Sequence, residues 1–188
     1  RNTQAWEMMV LLAQTRGNKP LLDAGLRALL ERNPDHYLQY QNAGVDFYRK
    51  GELEKAEAAF RKGIQRQRDA VLLNNLAQVI LDRDGDLDDA LKLINEALLR
   101  RPGQPQMLST RGAIFVKLGR FEEARKDLQE SLRKQGRDTD LLVLLVQTYE
   151  GLGDRTRALT VAKALASQPD TLDAAQKEQV KEWLLRLR

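Results

Sequence analysis

Five glycines, Gly17, Gly51, Gly85, Gly119 and Gly153, stand 34 residues apart along the 188-residue chain without a slip. No other feature restricts the fold as much. A strict period means one structural unit repeated, and a period of about 34 residues is that of helix-turn-helix pairs stacked into a solenoid. Such a unit cannot bury its apolar face alone and stacks on its neighbours. Glycine suits the turn between the two helices, where the chain needs a positive φ that a side chain disfavours.

Measured from each glycine, other columns fall into register. Five residues on come Leu22, Ala56, Ala90, Ala124 and Ala158, small in four units, which lets two helix axes approach closely. Nine residues on come Leu26, Phe60, Ile94, Leu128 and Ala162, and four residues before stand Ala13, Phe47, Leu81, Phe115 and Tyr149, all apolar. Pro34 and Pro102 both follow their glycines by 17 residues, where a helix has to stop. Asn18 ahead of Pro20 is a helix-start pattern, and Asp86 and Asp154, directly after their glycines, are capping residues of the same kind.

These residues resemble the tetratricopeptide repeat family. Trp6 and Tyr40 hold the family's aromatic position in the first helix, with Leu108 and Leu142 in later repeats. Gly44 and Gly112 match its small residue between packed helices, and Phe47 and Tyr149 its second aromatic. Ala56, Ala90 and Ala124 match its second-helix alanine, Phe60 the large residue that follows, and Pro34 and Pro102 its closing proline. The resemblance runs over residues 3–171 and implies an all-α fold: an α-solenoid (right-handed superhelix) of five helix-turn-helix repeats plus a C-terminal capping helix. The expected repeats are 3–36, 37–70, 71–104, 105–138 and 139–171, with residues 172–188 as the cap, all in one solenoid domain of a bacterial-type protein. Because the chain opens on Arg1 rather than methionine, it is expected to be part of a longer one, and compartment is left open.

Some positions depart from the family pattern. The third repeat reads Asn75-Leu76-Ala77-Gln78, which fits only if its first helix starts one residue early and an extra residue sits in the turn around Asp82 to Gly85. Gly63 replaces an alanine, and Arg68, Gly136 and Asp170 stand where the proline belongs. After Asp170 the glycine period ends. A stripe of Leu172, Ala175, Val180, Trp183, Leu184 and Leu187 continues, with Lys177, Glu178, Lys181, Glu182 and Arg186 on the other side, as a cap that covers the last repeat requires.

With no cysteine, the chain has no disulfide, thiolate site or thiol nucleophile. The lone histidine, His36, is read as a surface residue of a connector, since a zinc site normally needs three converging ligands. The glycines are spaced rather than clustered into a phosphate loop. No catalysis, cofactor or metal is expected. The net charge of +4 raises nucleic acid as a partner, with Arg61, Lys62, Arg66 and Arg68, Arg100 and Arg101, and Arg133, Lys134 and Arg137 as basic helix ends. Acids begin the same helices (Glu52 and Glu54; Asp86, Asp88 and Asp89; Glu122 and Glu123). That polarity complements the helix dipole, and no aromatics are interleaved as stacking platforms. Nucleic acid is therefore not the expected partner, and no run is long and apolar enough for membrane insertion.

In each first helix the apolar positions lie 11, 8, 7 and 4 residues before the glycine, and positions 13, 9, 6 and 2 before it lie opposite at 100° per residue. The resemblance implies that this opposite stripe lines a concave groove. It holds Gln4, Met8, Leu11 and Thr15; Leu38, Asn42, Val45 and Arg49; Val71, Asn75, Gln78 and Asp82 (shifted by one); Gln106, Thr110, Ala113 and Lys117; and Asp140, Leu144, Gln147 and Gly151. Leu38, Asn42, Val45, Arg49, Asn75, Gln78, Asp82, Gln106, Thr110, Ala113, Lys117 and Gln147 are the candidate partner-binding residues. The stripe is neutral and amide-rich, which suits a peptide or helical segment of a protein partner. The family's clamp for acidic chaperone C-termini is not expected. Its positions hold Glu7, Leu11, Asn42, Val71 and Asn75; only Asn42 fits, and an asparagine alone cannot neutralise a carboxylate. The expected function is a non-enzymatic interaction scaffold, the alternatives being a substrate-positioning module of a larger enzyme or envelope or secretion assembly, and nucleic-acid binding.

Overall fold

The computed structural model describes residues 3–136 and 138–187, so that Arg137, counted above among the basic helix ends, lies outside the described residues. Eleven α-helices and no strand occur among the described residues: α1 (Thr3–Thr15), α2 (Lys19–Arg32), α3 (Tyr37–Arg49), α4 (Leu53–Arg66), α5 (Ala70–Asp82), α6 (Leu87–Arg100), α7 (Pro105–Lys117), α8 (Phe121–Gln135), α9 (Thr139–Gly151), α10 (Arg155–Ala166) and α11 (Ala174–Arg186). The fold is all-α, of the α-solenoid class. The chain forms two compact units, Arg1–Arg83 and Asp84–Arg188.

In the first unit, α1 packs on α2, α3 on α4, and α4 on α5. Close approach of α3 and α4 depends on Gly44, where an added β-carbon would come within 2.4 Å of the Phe60 ring. Phe60 and Ala56 are buried as a result. Gly63 has a reason of its own: a β-carbon there would sit 2.9 Å from Leu72 of α5, so the alanine of the family pattern would require the Leu72 side chain to shift. Leu22 and Leu26, the same columns in the first repeat, are only half-buried.

His36 is not the surface residue expected. It is 5% exposed because it is the N-cap of α3, its Nδ1 accepting the Leu38 amide N–H at 3.3 Å while Nε2 lies 2.9 Å from the Glu7 carboxylate of α1. Its ring is fixed by a backbone donor on one side and a carboxylate on the other, contacts invisible in a linear reading. Asn18, Asp86 and Asp154 cap α2, α6 and α10 as expected.

α5 begins one residue earlier than the 34-residue ruler places it, and α6 returns to register. The left-handed turn residue follows the helix that ends before it. Gly17, Gly51, Gly119 and Gly153 have φ between 62° and 74°, whereas in the third repeat the positive φ, 51°, falls on Asp84 and Gly85 is the extra residue. A side chain at such a φ costs free energy that glycine avoids. Asp84→Gly is therefore expected to raise stability by about 0.5–1 kcal/mol, read as a shift in the urea midpoint with unchanged slope. The Lys117–Asp84 ion pair lost with it is exposed and of little weight.

In the second unit, α7 packs on α8, α8 on α9, and α9 on α10 and α7. Ala90, Ile94, Ala124, Leu128, Ala158 and Ala162 are fully buried. One apolar-stripe position is an exception: eight residues before Gly119 stands Arg111, whose Nε and Nη2 donate to Asp127 at 2.6 and 2.9 Å. α11 continues the same core, Val180 and Trp183 lying with Val146, Tyr149, Leu165 and Leu172. An Asp173–Gln176 capping box starts α11. Arg155 ends it, its guanidinium donating to the carbonyls of Leu187 and Arg186 at 3.0 and 2.7 Å, which satisfies helix-end acceptors that have no partner within the helix.

Candidate partner-binding surface

Among the described residues no three His, Cys, Asp or Glu side chains gather where they could hold a metal ion, and no helix is long and apolar enough to cross a membrane. The depressions are open. One of about 510 Å³ in the second unit is lined by Glu150, Gly153, Arg155, Arg186 and Leu187, and its cations are engaged, Arg155 as above and Arg186 on Glu150 at 2.5 Å.

Five cations of the basic helix ends are engaged too. Arg61 pairs with Glu57 at 2.8 Å and Arg66 with Asp35. Arg100 lies 3.0 Å from Glu96, and Arg133 and Lys134 lie 2.8 and 3.2 Å from Glu130. Hydrogen bonds from Arg133 and Lys134 hold the Glu130 carboxyl down to about 2. Lys134 also donates to the Gly103 carbonyl at 2.7 Å.

In the first unit, the stripe of α3 and α5 divides by depth. Leu38, expected on the groove, is fully buried and belongs to the core, because the first turn of α3 is drawn inward with His36 and Tyr37, also buried. Asn42, Val45, Asn75 and Gln78 are half-buried, while Arg49 and Asp82 are exposed. Asp82 accepts from Tyr48 Oη at 2.6 Å and from Gln78 Nε2 at 2.9 Å. Burial and this bond push the Tyr48 hydroxyl pKa up.

Beside the stripe lies a row of amides that the stripe alone does not include. Gln41 Nε2 donates to Gln14 Oε1 at 3.4 Å, and Gln14 Nε2 donates to Asn42 Oδ1 at 2.5 Å. Asn74 Nδ2 donates to Asn75 Oδ1 at 3.4 Å. Three enclosed atoms, Gln41 Oε1, Asn42 Nδ2 and Asn74 Oδ1, have no hydrogen-bond partner, a state that costs free energy and asks for an explanation. The sequence signal was present: Gln41-Asn42 and Asn74-Asn75 are the same amide doublet at the same place in α3 and α5.

The second unit's stripe is more occupied by its own structure. Thr110 is 6% exposed and its hydroxyl donates to the Gln106 carbonyl one turn back at 3.1 Å. Gln106 is exposed and donates to Gln135 at 3.4 Å. Lys117 pairs with Asp84 at 2.5 Å, and Asp140 accepts from Gln176 of α11 at 2.7 Å. Ala113 and Gln147 are half-buried.

Paired helices at a fixed period, with glycine and alanine at the crossings, match a known profile: a tetratricopeptide repeat-like domain covers residues 35–151, more than half of the chain. The chain belongs to the tetratricopeptide repeat-like family. Among curated proteins it is similar to the Vi polysaccharide biosynthesis protein TviD of Salmonella typhi, with 26% identity over 147 residues, 76% of this chain and 18% of that protein. The chain thus spans less than a fifth of that relative's length. Among solved structures it is similar to PilW, a type IV pilus biogenesis factor, with TM-score 0.72 and 20% identity over 96% of this chain and 86% of that one. It is also similar to the Cut9–Hcn1 hetero-tetramer of APC/C (TM-score 0.75, 18%, 98% and 36%) and to a tetratricopeptide repeat protein of Parabacteroides merdae (0.65, 16%, 98% and 72%). At these identities the structural matches speak for the fold. Repeat folds of this family generally serve protein–protein interaction.

Proposed function

We propose that the chain is a non-enzymatic interaction module that holds a segment of a partner protein against the amide surface of α3 and α5. The observation that carries this reading is the repeated doublet Gln41-Asn42 and Asn74-Asn75 with its unpartnered amide atoms. Enclosed donors and acceptors without a partner are what a peptide backbone completes once it reaches them. Family membership supports a scaffold role, since tetratricopeptide repeat proteins are typically non-enzymatic. The engagement of Arg61, Arg100 and Arg133 by Glu57, Glu96 and Glu130 weighs against nucleic acid.

The test is quantitative affinity capture with the purified chain. Changing Asn42, Asn75 and Gln78 together to alanine is expected to abolish capture of the native partner with helicity unchanged, each backbone group left unpaired costing about 1–3 kcal/mol. Reversing Arg133 and Lys134 to glutamate is expected to leave capture intact. Loss of capture only in the charge-reversed variant would overturn the reading.

A second reading has its own support. The curated relative is a polysaccharide biosynthesis protein much longer than this chain, and one structural neighbour is a pilus biogenesis factor. In this reading the same surface positions a component of an envelope assembly. Crosslinking in the full-length protein distinguishes it, the crosslinked partner being either another segment of that assembly or an unrelated protein.

A further inference from the structure

Gln41 and Asn42 of α3 together offer two amide NH₂ donor groups and two carbonyl acceptor groups. In the structure one of each is taken by a single group, the side-chain amide of Gln14 from α1. Its carbonyl accepts from Gln41 Nε2 at 3.4 Å and its NH₂ donates to Asn42 Oδ1 at 2.5 Å. The other acceptor, Gln41 Oε1, and the other donor, Asn42 Nδ2, are enclosed and have no partner. Gln41 is 5% exposed, Gln14 and Asn42 half-buried. The bound group therefore displays the chemistry this pair recognises: one carboxamide, with its C=O and N–H read at the same time.

We propose that the Gln41–Asn42 pair is an amide-reading subsite held closed by Gln14, and that an extended, uncharged strand of the partner opens it by taking Gln14's place. This rests on the groove reading above and adds to it the conformation of the ligand and a built-in competitor. Gln14 satisfies two of the four groups. An extended strand presents N–H and C=O groups in succession along its edge and can satisfy all four, so the exchange gains hydrogen bonds. A helical segment cannot, because its backbone groups are used inside the helix. Gln14 is the part that moves. Its side chain has three rotatable bonds and stands on a different helix from the pair, so it can swing out without disturbing α3.

The experiment uses linear peptides selected by phage display on the immobilised chain, the tightest of them measured by fluorescence anisotropy. Each backbone nitrogen of that peptide is then methylated in turn. Methylation at one interior position is expected to weaken binding about tenfold, as loss of one hydrogen bond does. The same methylation is expected to cost nothing further in Asn42→Leu. Gln14→Ala, which removes the competitor, is expected to tighten binding about three- to tenfold, whereas a purely structural role for Gln14 predicts weaker binding or none of this gain. Tolerance of methylation everywhere, or weaker binding in Gln14→Ala with its circular dichroism unchanged, overturns the subsite. If in that case binding still disappears in the Asn42, Asn75 and Gln78 triple variant, the groove reading stands without it. If no selected peptide depends on that triple, both fall. The methylation scan uses the unaltered chain, so it decides the matter even if a substitution at Gln14 or Asn42 impairs folding.

Discussion

Trp183→Ala is expected to lower stability by up to about 3–5 kcal/mol and to make the chain self-associate. Trp183 is 3% exposed, set in a core with Val146, Tyr149, Leu165 and Val180. Truncating it removes the largest side chain that α11 contributes and leaves a cavity that neighbours on α9 and α10 cannot collapse into without giving up their own packing. Helix ends anchored by Arg155 and by the Asp173–Gln176 box hold α11 near its place, so the loss falls on packing rather than on helix formation. With the cap loosened, the apolar end of the last repeat is exposed, and an uncovered repeat face associates. Urea unfolding measures the first effect and light scattering the second. Leu185→Asp on the same helix serves as the control: Leu185 is 73% exposed, and its replacement is expected to change neither. A monomeric Trp183→Ala chain of unchanged stability would make α11 an accessory helix.

Arg111→Met is expected to cost about 3 kcal/mol, the lower end of what breaking a buried ion pair costs. Asp127 is 7% exposed and receives two of the guanidinium's hydrogen bonds, while a third reaches Asn95 at 3.0 Å. Removing the cation leaves a buried carboxylate without a counter-charge, and desolvation of that charge is what destabilises the fold. The lower end applies because the Arg111 side chain is 26% exposed and water screens part of the interaction. Replacing both partners, Arg111→Met with Asp127→Leu, is expected to restore most of the loss, since no charge then remains unpaired. The double-mutant cycle in urea separates the two cases. A double variant as unstable as the single one would place the cost in lost packing over the Phe115 ring, where the guanidinium lies 5.8 Å from the centroid.

Much of the architecture was legible because it follows from local spacing. Gly44 against Phe60 and Ala124 with Leu128 sit where a 34-residue ruler and helical periodicity place them, and the early start of α5 was readable from Asn75 to Gln78. Helix period and turn chemistry are properties of neighbours in sequence, and neighbours in sequence are what a linear reading contains. Family membership followed from the same columns.

The tertiary structure decided which polar groups face one another, since that depends on helices brought together from distant parts of the chain. His36 moved from an assumed surface connector to a buried cap because Glu7 lies 29 residues away in sequence and 2.9 Å away in space. The positive φ moved from Gly85 to Asp84 because the turn is set by where α5 ends, not by the glycine period. Leu38 and Thr110 left the expected groove for the interior, while Gln14 and Gln41, outside the stripe, joined Asn42 in one hydrogen-bonded row. A stripe drawn at 100° per residue gives the direction a side chain leaves its own helix. Whether that direction meets solvent, a neighbouring helix or another amide is set by packing distances that sequence spacing does not contain.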